Sequence, residues 1–138
     1  MKVKFKDEYH EILFWIIMQK MNCNDVYSQS VAYLIALDDV CRNHIEEIFD
    51  FKENLIRRES LHKGWQTGTS KKTTRLTFNL WNGCCTDGEI YTDKNGDKNY
   101  LPSGRYSVSD IFCCSYAPYY WEAVKIRYPE YADTDEWE

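Results

Sequence analysis

The sequence predicts a mainly α chain: a compact single-domain helical bundle over residues 1–138, with a β-hairpin insertion near residues 89–101. Three observations lead there. Apolar residues recur at three- and four-residue spacing in several separate stretches. Residues suited to helix ends flank those stretches. Asn95-Gly96 lies between two short apolar runs, the strongest short-range hairpin signal a sequence offers. A chain of 138 residues buries roughly two thirds of its unfolded surface, enough for a core without covalent staples.

Asp7 is suited to cap the first helix, because a carboxylate takes up free N–H groups and complements the dipole. Within that helix Ile12, Leu13, Ile16 and Ile17 form a stripe that Phe14, Trp15 and Met18 widen almost all round. Such a helix either runs through the centre of the monomer or is covered by a second chain, so a homo-oligomer is possible. Asn22 and Asn24 interrupt the pattern, and Asn24 is expected to cap a second helix carrying Tyr27, Val31, Leu34 and Ile35 on one face. Asp38-Asp39 marks a kink or a fresh start, after which Val40, Cys41, His44, Ile45, Ile48 and Phe49 form another stripe. A further helix is expected to start at a cap on Thr69 or Ser70 and to stop at Asn82-Gly83. Beyond the hairpin, Ser107 or Ser109 caps a short apolar helix over 108–114. Pro118 then opens a last helix over 119–127 that Pro129 ends. The acidic tail, 132–138, is expected to be flexible.

Charge is unevenly placed. The whole chain carries −5, which argues against strong nucleic-acid binding. Residues 52–75 nevertheless hold seven bases against two acids, and residues 76–138 hold five bases against eleven acids. The longest apolar run, 12–18, is far below the roughly 20 residues a bilayer requires, and no signal segment is visible. The expectation is therefore a cytoplasmic protein that makes no use of a membrane, with its six cysteines reduced. The adjacent pairs Cys84-Cys85 and Cys113-Cys114 lack the spacing that lets two sulfurs converge on one zinc ion, and IFCCSY reads as a buried segment. No metal ligand, cofactor or catalytic residue is assigned. His44 beside Glu46 and Glu47 resembles a carboxylate–histidine pair, but no HExxH or nucleophile elbow surrounds any of the three histidines. Adjacent carboxylates such as Glu46/Glu47 and Asp38/Asp39 point to different faces of a helix and are poorly placed to share one substrate.

One constellation carries chemistry. Trp65, Gln66, Thr67, Thr69, Ser70, Lys71 and Arg75 surround the start of a helix, where unpaired N–H groups and the dipole favour anions. Trp65 offers a flat face for a base, and Gln66 offers paired donor and acceptor groups. Tyr116, Tyr119 and Tyr120 are alternative stacking partners, Tyr119 being taken as the ligand-binding one. The run is not a Walker loop, since its glycines lack that spacing. The competing reading is a capped helix with solvated lysines and a core tryptophan.

Three phrases, HIEEIFDFKENLI, GWQTGTSKKTTRLTFNLWNG and YSVSDIFCCSYAPYYWEAVKIRYPEY, resemble a family of short proteins catalogued as a domain of unknown function (6075). The resemblance implies an origin in Gram-positive bacteria and their mobile elements, and hence a phage or integrated-element accessory protein acting in the bacterial cytoplasm. Small proteins in that setting often counter host defences. The functional expectation is thus a non-enzymatic anti-defence binding protein that sequesters a nucleotide immune signal. The alternative is a protein-partner inhibitor of a host defence enzyme, acting through the acidic C-terminal half.

Overall fold

A computed structural model describes residues 2–132. The acidic tail from residue 133 onward lies outside the described residues, and Ala132 ends the last described helix. Among the described residues the chain is mainly helical, as its periodicity predicts, with the expected hairpin near 89–101 and a second small antiparallel strand pair that the sequence reading did not anticipate.

The centre is α2 (Val26–Leu37), whose residues 30–37 are all buried. It packs against α1 (Glu8–Met21), against α4 (Gly68–Asn82) and against α6 (Ala117–Arg127). Helix α1 is thus a flank, not the axis that its all-round apolarity allowed. Phe14, Ile17, Met18 and Met21 face inward, whereas Tyr9, Ile12, Trp15 and Ile16 remain outside. The cap of α1 is Asp7, whose carboxylate accepts from His10 N. Asn22 closes α1 in the left-handed region at φ 51°, a conformation that Asn tolerates better than most side chains. The cap of α2 is Asp25, one residue beyond the expected Asn24. Asn24 instead holds the Gln29 amide through its own side chain and carbonyl.

The stripe at 40–49 is not one helix. It divides into a 3-10 turn at Cys41–Asn43, a single helical turn α3 (Ile45–Ile48) and a strand β1 (Phe49–Asp50) paired with β2 (Leu55–Ile56). Asp38 causes the break. Its Oδ1 accepts from Val40 N at 2.8 Å and Cys41 N at 3.1 Å, turning the chain away from α2. Helix α4 is capped by Thr67, with Ser70 closing the box from inside, so the cap precedes the expected Thr69 or Ser70 by two or three residues. Gly83 ends α4 at φ 76°, where a Cβ would be strained. The hairpin β3 (Ile90–Thr92) and β4 (Lys98–Tyr100) pairs Ile90 with Tyr100 and turns at Gly96, φ 82°. Ser107 caps α5 (Val108–Ile111), which is shorter than the 108–114 expected. Pro118 lies in the first turn of α6, and α7 (Pro129–Ala132) follows.

Two buried phenols are satisfied rather than merely covered. Tyr33 donates to Lys4 O at 2.6 Å, and Tyr120 meets Thr73 Oγ1 at 2.5 Å. A third polar lock is His10, wholly buried, whose Nδ1 accepts from Lys6 N and whose Nε2 donates to Tyr33 O. This pattern requires the neutral ring, and desolvation pulls its pKa below the ordinary 6.5. The unfolded chain therefore binds the proton more tightly than the folded one, so stability is full above about pH 6.5 and is lost as pH falls through it. Urea unfolding between pH 7 and 5 is expected to show a loss of order 1 kcal/mol, and His10→Gln should flatten that slope.

Candidate functional site

A cavity of about 560 Å³ opens where the start of α4 faces two loops and α5. On α4 its wall is Gly68, Lys71, Lys72 and Arg75, residues at helical spacing i, i+3, i+4 and i+7 and hence one stripe. Opposite stand Leu61 and His62 from the 3-10 turn Arg58–His62, Asp87 from the loop after α4, and Arg105 from the turn Gly104–Tyr106. Ser109, Asp110 and Cys113 complete it from α5 and the segment behind it.

The four permanent cations differ in how far they are already engaged. Arg75, only 8% exposed, is held by Asp87 through Nε at 3.1 Å and Nη2 at 2.9 Å. Burial raises the Asp87 carboxyl, but the hydrogen bonds and charge of Arg75 outweigh that and leave it below the usual range. Lys72 donates to Cys113 O at 2.8 Å. Lys71 and Arg105 have no ion-pair partner among the described residues. Asp110 accepts from Ser107 Oγ at 3.0 Å. The lining thus carries four bases against two acids, one of the acids consumed internally. His62 Nε2 is tied to Asp87 O at 2.8 Å and is not paired with a nucleophile.

The residues singled out at the sequence level separate into four places. Lys71 and Arg75 line the cavity. Gln66, Thr67 and Ser70 are absorbed in building the helix start: Gln66 Nε2 donates to Ser60 O and Thr74 Oγ1, and its Oε1 accepts from Ser70 Oγ. Thr69 gives its carbonyl to Thr73 Oγ1. Neither Trp65 nor Tyr119 belongs to the lining. Trp65 lies face to face with His44, centroids 4.0 Å apart and planes within 3°, and its Nε1 donates to Glu47 Oε1 at 3.3 Å. His44 Nδ1 closes on the other Glu47 oxygen, so Glu47 is the carboxylate of that pair. The hydrogen bond from His44 holds the Glu47 carboxyl below its ordinary range. Tyr119 is half-buried on α6 against the core.

Sequence reasoning missed His62, Asp87, Arg105, Asp110 and Cys113, which reach the cavity from other segments. Of the stripe at 68, 71, 72 and 75, the sequence reading named Lys71 and Arg75 but not Gly68 or Lys72. Cys113 is exposed, correcting the expectation that IFCCSY is buried throughout; within that segment Ile111 carries the burial. Cys41 is the deeply buried thiol, and burial pushes its pKa up. Among the described residues no cluster of three or more His, Cys, Asp or Glu side chains is placed to hold a metal ion. Among the same residues no helix is long and apolar enough to cross a membrane.

Comparison with known proteins gives one result. The model of the Family of unknown function (DUF6075) matches residues 1–138, and the chain belongs to that family. No curated protein and no solved structure matches it.

Proposed function

We propose that this family member is a non-enzymatic binding protein whose ligand places a phosphate-like group in the cavity at the start of α4. The observation that carries this reading is the gathering of Lys71, Lys72, Arg75 and Arg105, from two distant segments, around one concave site in a chain of net charge −5. Positive potential concentrated in a cleft raises the local concentration of anions against the repulsion of the remainder. The N–H groups of the first turn of α4 add to the same field. A nucleotide-like small molecule fits this chemistry, its phosphates on Lys71 and Arg105. Trp65 lies outside the cavity lining, with one face of its indole covered by His44, so the reading rests on the cations and not on a stacked base.

In a bacterial cytoplasm such a protein would act as the product of a phage or mobile element that sequesters a nucleotide immune signal. Inhibition of a host defence protein through the acidic half draws less support. Asp87 is consumed by Arg75, and Glu122, only 8% exposed, accepts from Lys4 N, so two of its acids are turned inward.

Titration calorimetry with cyclic and linear nucleotides and with inorganic phosphates tests the reading. The expected result is binding that weakens as salt rises, and that drops about 10-fold in Lys71→Ala and in Arg105→Ala, the loss of one charge-assisted contact each. No heat with any of these compounds, or unchanged affinity in both variants, would overturn it.

A further inference from the structure

Helix α1 presents an outward face that the monomer leaves largely uncovered, Arg42 lying over the Tyr9 ring at one end of it. Tyr9 is 56% exposed, Ile12 52%, Trp15 55% and Ile16 46%, four large side chains in successive turns of one helix. Their neighbours on α1 are asymmetric in charge, with Glu8 and Glu11 in the first turn and Lys20 in the last. From these two features we infer that the face is a self-association surface on which the α1 helices of two copies lie antiparallel.

The charge order selects both the occupant and the direction. Side by side and parallel, the acids of the two copies would abut, and their helix dipoles would align unfavourably. Antiparallel about a twofold axis level with residue 14, Ile12 of one copy meets Ile16 of the other and the two Trp15 indoles approach at the centre. Lys20 of each copy then comes beside the first turn of its mate, where Glu8 and Glu11 stand. Lys20 now reaches Glu46 at 3.5 Å, an exposed pair that costs little to exchange. An anionic bilayer does not suit the face, since the acids of the first turn and the overall charge oppose it.

The area sets the strength. Half-exposed side chains of this size offer on the order of 100 Å² each, so the four give about 400 Å² per copy, roughly half of what a standard stable interface buries on one side. The dimer is accordingly a weak one, with a dissociation constant in the range of about 10–100 μM. The surface is separate from the cavity at the start of α4, and nothing in its association depends on a ligand there.

Sedimentation equilibrium of the full chain from about 1 to about 300 μM brackets that constant. The expected result is a concentration-dependent monomer–dimer equilibrium. Trp15→Glu and, separately, Ile16→Glu should each raise the dissociation constant by at least about 30-fold while leaving the far-ultraviolet circular dichroism unchanged, because both side chains already face outward. Direction is read by mixing Ile12→Cys with Ile16→Cys copies under oxidation and mapping the bridged peptides. Bridges between 12 and 16 should exceed those between 12 and 12. A monomer throughout the range would overturn the proposal, as would a dimer indifferent to both glutamate variants. A predominance of 12–12 bridges would overturn the antiparallel arrangement, and a monomer that instead adheres to phosphatidylcholine or phosphatidylserine vesicles would assign the face to lipid.

Discussion

Asp38→Ala is expected to lower the free energy of unfolding by about 3 kcal/mol, measured by urea denaturation at pH 7. The side chain is 1% exposed and makes three hydrogen bonds, two from backbone N–H groups and one from Thr73 Oγ1 at 2.7 Å. Thr73 has one proton, and the carboxylate can only accept it, so the Tyr120 hydroxyl must donate to Thr73 in turn. The relay runs from α6 through α4 to the end of α2, and it ties together three of the helices that form the core. Truncation at Asp38 leaves the buried Cys41 N–H and the half-buried Val40 N–H without an acceptor, and leaves the Thr73 hydroxyl only the Thr69 carbonyl at 3.5 Å. Asp38→Asn keeps one acceptor oxygen and should cost about half as much. If Asp38→Ala unfolds at the same urea concentration as the parent, the relay does not hold the core in the manner described.

Much of this architecture was legible in the sequence, and the limits have physical causes. The caps at Asp7 and Ser107, the stop at Gly83 and the turn at Gly96 are local devices, each satisfied within a few residues, and local pattern finds them. The segment at 40–49 misled because its apolar residues keep helical spacing while Asp38 diverts the first backbone N–H groups, a contact whose consequence lies in the tertiary fold. Apolar periodicity alone could not separate α1 from α2. Both are rich in apolar residues, and only packing against α4 and α6 makes α2 central. The candidate site divided in the same way. Lys71 and Arg75 follow from helix geometry, but Arg105 and His62 arrive by chain topology, which spacing does not encode. The partner of Trp65 was hidden for a related reason: an imidazole 21 residues earlier in the chain comes to lie on one face of the indole through the tertiary fold.

Arg75 and Lys71 line one cavity, yet their alanine variants should separate stability from binding. Arg75→Ala is expected to cost about 3 kcal/mol of folding free energy, whereas Lys71→Ala should stay within about 0.5 kcal/mol. The difference follows from what each side chain leaves behind. Removal of Arg75 strands the Asp87 carboxylate, whose side chain is 15% exposed, without its two hydrogen bonds and its countercharge. Removal of Lys71 strands nothing. The double variant Arg75→Ala/Asp87→Ala should recover part of the loss, since neither charge then remains unpaired. Acid should have the same effect as removing the arginine. The Asp87 carboxyl titrates below its ordinary 3.8, so its contribution is present above that value and disappears as pH falls through the lowered one. A ligand that depends on Lys71 but survives Arg75→Lys would show that the guanidinium serves the frame of the cavity and the free ammonium serves the ligand. Equal stability losses in Arg75→Ala and Lys71→Ala would contradict this division, because only one of the two side chains has a buried partner to lose.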